Sequence, residues 1–351
     1  MDGARLRCLT DSQVFVMAKS LTDPIFIDAD KAREHLEAQR WPEGPVCPHC
    51  GAVDEHVTPI RGARSRPSKR NPEGVERKGL HQCNACRKQF TVTVGTVFER
   101  SKVPLNKWLL ATYLITSSKK GMSAHQLHRM IGVTYKTAWF MFHRIREAMI
   151  EDTDETGPLG GEGKVVEADE TYIGKRDVPY VSPTRKYRNP VTKSGKSGGA
   201  QKRVVIGLVE RGGKSRMFHV HIATKKTVRE ILVKNASRKS ALHTDESRLY
   251  TATGEEFKSH RTVNHSKGEY ARGDVHSNTI ENVFSVFKRG MKGIYQHCGE
   301  AHLQRYLTEF SFRYNRRTKL GVNDEERHNQ LLRMVGGKRL TYRRTGEAQI
   351  T

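Results

Sequence analysis

The chain has no apolar run approaching the roughly 18 residues that a membrane-crossing helix requires, and its N-terminus lacks the basic-then-apolar order of a secretory signal. A membrane-embedded or exported protein is therefore not expected. Acidic residues are scarce beside basic ones: 38 Asp and Glu stand against 62 Lys and Arg, giving a net charge of +24. Such a surface attracts a polyanion. Cysteine is scarce too, and four of the six fall in two CxxC pairs, which fits a reducing compartment and a bound metal better than a disulfide framework. Cys8 and Cys298 stand alone and read as inert thiols. No GxxxxGK[ST] phosphate-binding loop is present, although the glycines of 176–202 invite the comparison. The expected class is a soluble, cytoplasmic, nucleoid-associated binder of nucleic acid.

The paired cysteines are CPHC at 47–50 and CNAC at 83–86. Two intervening residues let both thiolates of a pair turn inward from a tight knuckle, so Cys47, Cys50, Cys83 and Cys86 are expected to hold a structural Zn2+. The spacer between the pairs is long and carries a basic stretch, Arg61–Arg77, suited to lie along phosphates. The β-rich QFTVTVGTVF after the second pair reads as closing strands of a zinc ribbon spanning 41–100. A helical segment, 1–40, precedes it.

Between Pro104 and Ile150 the periodicity turns helical. Pro104 suits a helix start, Gly121 a stop, Ser123 and Thr134 two further N-caps, and Gly132 the turn between them. Three helices with a glycine turn before the third resemble a helix-turn-helix over 101–150, with Tyr135, Lys136 and Arg144 near the outer face of the reading helix. An acidic, glycine-rich linker follows at 151–163.

The second half is organised around Lys164–Gly174, KVVEADETYIG. Its alternation sets Val165, Glu167, Asp169 and Thr171 on one face of a strand and Val166, Ala168, Glu170 and Tyr172 on the other. Adjacent acids then point to opposite faces, so Asp169 is expected to join a site and Glu170 to remain outside it. An acid inside such an alternation is costly unless paired or ligating. A basic, low-apolar loop, 176–202, comes next; Arg203–Glu210 and Met217–Ala223 read as a hairpin, Thr227–Ala236 as a helix and Ala241–Asp245 as a short strand ending on an acid. That is the element order of an RNase H-like α/β fold, a mixed sheet with flanking helices. A helix over 278–292 completes it, with Ile280, Val283, Phe284 and Phe287 as its buried stripe and Asn278, Glu281 and Lys288 on neighbouring faces. Three acids from distant elements, Asp169, Asp245 and Glu281, suit two Mg2+ or Mn2+ ions that activate an attacking hydroxyl and stabilise the leaving oxygen at phosphorus. Lys288, Arg289 and Lys292 are placed to hold DNA phosphates. Residues 164–320 thus form the expected catalytic domain and 321–351 a C-terminal tail.

The ordered series CPHC, CNACRKQFTVTVGTVFE, PLNKWL, ADETYIG, HTDES, HSNTIENVFSVFKRG and HLQRYLTEFSFRYNRR resembles the DDE-type insertion-sequence transposases of the ISXO-like group, which carry an N-terminal zinc ribbon. The resemblance runs along nearly all of residues 40–320. It implies dependence on Mg2+ or Mn2+, cleavage of double-stranded DNA at element ends, strand transfer into a target and a homo-oligomer assembled on DNA. It also leaves Asn278 competing with Glu281 for the third position, since that group often has an asparagine or histidine there. On charge grounds Glu281 is preferred, because a neutral amide holds Mg2+ weakly. The rival reading is a DNA-binding regulator that has kept this body without cutting.

Overall fold

The computed structural model describes residues 19–69, 71–152, 156–178, 201–269 and 271–341. Cys8, the first part of the N-terminal segment and most of the basic loop lie outside the described residues. Helices are α1 Pro24–Ile27, α2 Ala29–Arg40, α3 Leu105–Ser117, α4 Ala124–Ile131, α5 Tyr135–Ala148, α6 Lys225–Asn235, α7 Thr251–Gly254, α8 Asn278–Gly290, α9 Leu303–Asn315 and α10 Asp324–Arg333. A small sheet comprises β1 Val57–Ile60, β2 Leu80–Cys83 and β3 Gln89–Phe90; the main sheet comprises β4 Val165–Lys175, β5 Lys202–Glu210, β6 Ser215–Val220, β7 Ala241–Thr244 and β8 Ser259–Thr262. No helix among the described residues is long and apolar enough to cross a membrane.

The main sheet has the order β6-β5-β4-β7-β8. β4, β5 and β6 are antiparallel neighbours, while β7 and β8 run parallel to β4. This is the RNase H-like arrangement expected from the sequence. One face packs under α8 and α9 through Val205, Val209, Ile280, Phe284 and Phe287, and the other under α6 through Val166, Ala168, Ile206 and Leu232. β5 is buried almost throughout, so it reads as a continuous apolar run without alternation.

The N-terminal half departs from the expected division. Zinc-ribbon, α2, α3 and α5 side chains share one core that also takes in Leu331, Leu332 and Val335. The stretch read as a C-terminal tail therefore carries α10, whose His328 ring lies 2.9 Å from Thr112 Oγ1, and its end bonds back to the ribbon from Gly337 N–H to Gly95 O. Only Gln89–Phe90 of the anticipated closing strands is a strand. Threonines explain the rest: Thr96 Oγ1 donates to Thr93 O at 2.6 Å and accepts from Phe98 N–H at 3.1 Å, fixing a run of turns that still buries Val92, Val97 and Phe98. The helix caps fall as read, with Ser123 and Thr134 accepting from Gln126 and Thr137 N–H, and Gly132 left-handed at φ +63°.

The two halves meet through buried charge. Arg146 of α5 donates to Glu309 of α9 at 2.6 Å, and the same carboxylate accepts from Tyr295 and Arg313. Burial pushes the Glu309 carboxyl up, yet the Arg313 and Arg146 charges and the Tyr295 hydroxyl outweigh it and hold it below its ordinary range. Glu309→Gln should destabilise the protein by about 3–5 kcal/mol, because two guanidinium groups lose their counter-charge inside the fold. Urea unfolding measures this; a loss under about 1 kcal/mol would mean that the pair is dispensable.

Candidate active site and zinc centre

Among the described residues, two side-chain groups are arranged to hold metal ions. The first is Cys47, Cys50, Cys83 and Cys86, whose sulfurs all lie within 4.8 Å of one another. Cys47 and Cys86 Sγ are 3.7 Å apart, and Cys50 and Cys83 Sγ 3.6 Å. Zn–S bonds of about 2.3 Å in a tetrahedron require sulfur separations of about 3.8 Å, so the donor set and its spacing fit Zn2+. Cys298 is buried, and burial pushes its thiol up to about 11, as suits an inert thiol.

The second group is Asp169, Glu170 and Asp245, with ligand atoms likewise within 4.8 Å. Glu170 thus joins the cluster it was expected to leave. β7 pairs with β4 only as far as Glu167 opposite His243 and ends at Thr244. Beyond that point the β4 edge is open, and the longer Glu170 side chain reaches Asp245 round it. Tyr250, fully buried, donates its hydroxyl to Glu170 Oε2 at 2.8 Å and fixes that approach. Asp245 accepts from Ser247 N–H at 3.1 Å. Burial first, then the Asp245 and Glu170 charges, push the Asp169 carboxyl up to about 8; burial also raises Glu170 and Asp245. Crowded, partly buried carboxylates that offer only oxygen donors fit a hard divalent cation.

Glu281 faces the same cavity, of about 450 Å³, together with His265, Ser285, Lys288 and Arg289. Its Oε1 accepts from Ser277 Oγ at 3.0 Å and lies 3.7 Å from His265 Nε2. Asn278 is exposed and does not line that cavity. Arg289 is steadied by Ser285 Oγ, whereas Lys292, past the end of α8, lines a neighbouring cavity shared with Lys288.

What holds α8 over the acids was missed in the sequence. Glu167, fully buried, accepts from Thr279 N–H at 2.9 Å, Thr279 Oγ1 at 2.9 Å and Ile280 N–H at 3.0 Å, closing the free donors of the α8 N-terminus. Arg211 Nε donates to it at 2.6 Å, and His276 Nδ1 is 3.3 Å away, so His276 turns toward Glu167 and not into the acid cavity. The signal existed, since the cost of an acid within an alternating strand applies to Glu167 as much as to Asp169. Gly207, the register partner of Asp169, completes the fit. A Cβ there would meet Phe284 at 2.6 Å and Ile280 at 2.7 Å, so only glycine lets α8 lie this close.

The expected DNA-reading side chains divide. Tyr135 and Lys136 are exposed on the first turn of α5, the Tyr135 ring stacked on His125 at 4.2 Å. Arg144 is not on an outer face. It is buried, donates to Glu99 O at 2.7 Å and lies over the Trp108 ring, because most of α5 from Met141 onward is packed inside the protein.

The raised carboxyls make the metal-free protein pH-sensitive. A folded Asp169 titrating near 8 against an unfolded value of about 4 binds the extra proton in the native state, so stability is highest at the acid end of that window and falls as pH rises through it. In EDTA at pH 8, Asp169→Asn should melt higher than wild type by a few degrees, and Mn2+ should raise wild type but not the variant. Equal melting temperatures across pH 4–8 would contradict the crowding of charge. Glu167→Gln should cost about 3–5 kcal/mol in denaturant unfolding by stranding Arg211 beside the α8 N-terminus, and a neutral result would remove its anchoring role.

Residues 158–315 match the ISXO2-like transposase domain and residues 27–89 the transposase zinc-ribbon domain. A protein in transposable element ISH50 of Halobacterium salinarum, itself uncharacterized, is 31% identical over 293 residues, covering 82% of this chain and 91% of that one. Similar solved structures include a Mos1 transposase paired-end complex with the left transposon end, at 12% identity over 68% of this chain and 78% of that one with a TM-score of 0.24. A Mos1 strand transfer complex has 13% identity over 62% and 79%, with a TM-score of 0.21. Scores this low have no bearing on the site. On the two domain matches and the ISH50 relative, the chain belongs to the ISXO2-like insertion-sequence transposases that carry a transposase zinc ribbon.

Proposed function

We propose that this transposase binds the ends of its insertion sequence, cuts the DNA there and joins the cut ends to a target, using Asp169, Asp245 and Glu281 with Mg2+ or Mn2+. The observation that carries the reading is the single cavity in which those acids meet Lys288 and Arg289. Asp169 and Asp245 would hold the divalent cations, with Glu281 closing the set from α8 and Glu170 steadied beside them by Tyr250. When bound, the cations supply an activated hydroxyl and charge stabilisation at the leaving oxygen. Lys288 and Arg289 would hold the scissile strand's phosphates at the rim, with Lys292 next along the strand. Asn278 is kept as the rival third ligand. A regulator without cutting activity would have no use for acids crowded at such electrostatic cost, and no observation favours it.

The zinc ribbon and the exposed first turn of α5, with Tyr135 and Lys136, would read the element ends, since reading helices contact bases through their N-terminal residues. The residue blocks 41–100, 101–150 and 164–320 would then work as ribbon, reading and catalytic units around one duplex. Because an element has two ends, a homo-oligomer on DNA is the working form proposed.

Purified protein, Mg2+ and DNA carrying the element end should yield cleavage and strand transfer. Asp169→Asn and Asp245→Asn should each fall below about 1% of wild-type cleavage while still binding DNA, since a neutral amide cannot hold the ions against water. Glu281→Gln should be severe and Asn278→Ala mild; the reverse order would give the third position to Asn278. Cys83→Ser should lose about one Zn2+ per chain and end recognition with it. Metal analysis that finds no zinc in reduced wild type would end the ribbon assignment.

A further inference from the structure

A second, larger cavity, of about 650 Å³, lies between the end of α3, the side of α8 turned away from the acids, and the end of α9 with the turn that follows it. Four of its cations come from three places: Lys119 just after α3, Arg313 of α9, and Arg317 and Lys319 in the turn after α9. Asp324 lines it too, but its Oδ1 is taken by Arg327 Nη1 at 2.5 Å.

Arg313 is the telling residue. Its side chain is 6% exposed, yet its Nε and Nη2 are buried with no hydrogen-bond partner, while Nη1 is engaged by Glu309. Phe310 covers one face of the guanidinium, with Cζ 4.7 Å from the ring centre, and Arg313 lines the cavity with these two donors unmet. Charge leads to the same conclusion. Glu309 is shared by Arg146 and Arg313, which leaves one buried positive charge in excess. Two unmet donors on a planar fork, beside surplus charge, suit a bidentate oxyanion. Asn282 adds a neutral polar group from α8.

We propose that this cavity binds a backbone phosphate of DNA, a contact separate from the acid cluster. It rests on the reading of the protein as a DNA-acting enzyme. The two cavities lie on either side of α8, whose Thr279 and Asn282 face this one and whose Glu281 and Lys288 face the acids. They are thus about one helix diameter, roughly 10 Å, apart. A strand held here sets the position of α8 from behind.

The test uses the full chain and a labelled random duplex, with affinity measured by anisotropy across a salt series. The double variant Lys119→Gln with Lys319→Gln changes only exposed side chains. Its slope of log K against log salt should be shallower than wild type by about 0.9, the contribution of one phosphate. Arg313→Lys keeps a cation beside Glu309 but loses the fork, and should weaken binding about tenfold. Asp169→Asn should keep the wild-type slope. Wild-type slope and affinity in both the double variant and Arg313→Lys would overturn the site. If inorganic phosphate raises the melting temperature of wild type but not of Arg313→Lys while DNA slopes are unchanged, the cavity takes free phosphate and the DNA assignment falls. Failure of the cleavage assay alone would count against the transposase chemistry and not against this contact, because the salt series needs no turnover.

Discussion

The geometry of the acid cluster depends on how α8 is seated. Glu167 accepts from two backbone N–H groups and the Thr279 hydroxyl at the helix N-terminus, and Arg211 balances its charge. Gly207 gives the helix room to descend onto β5. These two residues act from one face of the sheet at adjacent registers, for Glu167 is two residues before Asp169 and Gly207 pairs with Asp169. The strand that presents one acid therefore also fixes the distance to Glu281. A carboxylate on a separate helix can serve the same ions only if that helix cannot slide, and a fully buried charge at its N-terminus resists sliding strongly.

Burial of charge also joins the two halves of the chain. Arg146 reaches from α5 to Glu309 on α9, and α10 returns to close the N-terminal core under α3. The ribbon and the three helices after it are consequently built into one body with α10. The exposed first turn of α5 is connected by packing to the layer that carries the acids, with Trp139, His143, His302 and Tyr306 forming the aromatic contact between them.

Much of this was legible in the sequence wherever a residue type admits one physical use. Paired CxxC motifs, glycine and hydroxyl caps around α4 and α5, and Asp169 within an alternating strand each stand where expected. Glu170 was misassigned because strand alternation governs where a Cβ points, not how far a glutamate can reach once a neighbouring strand has ended. Arg144 was misassigned because an arginine in an amphipathic helix reads as surface unless its partner is known; that partner, the Glu99 carbonyl, lies in a run of turns that the threonine-rich pattern disguised as strands. The α10 helix, polar over most of its length, buries Leu331 and Leu332 through contacts with residues more than two hundred positions earlier. No local periodicity could reveal such a partner.

The central claim is that Asp169, Asp245 and Glu281 hold the same pair of divalent ions. Anomalous diffraction from crystals grown with Mn2+ and a duplex carrying the element end addresses it without reliance on turnover. Two Mn2+ peaks about 3.5–4 Å apart are expected, one or both bound by Asp169 and Asp245 and one within ligand distance of Glu281. Peaks bound by Asn278 with Glu281 turned away, or no peak between Asp169 and Asp245, would contradict the account.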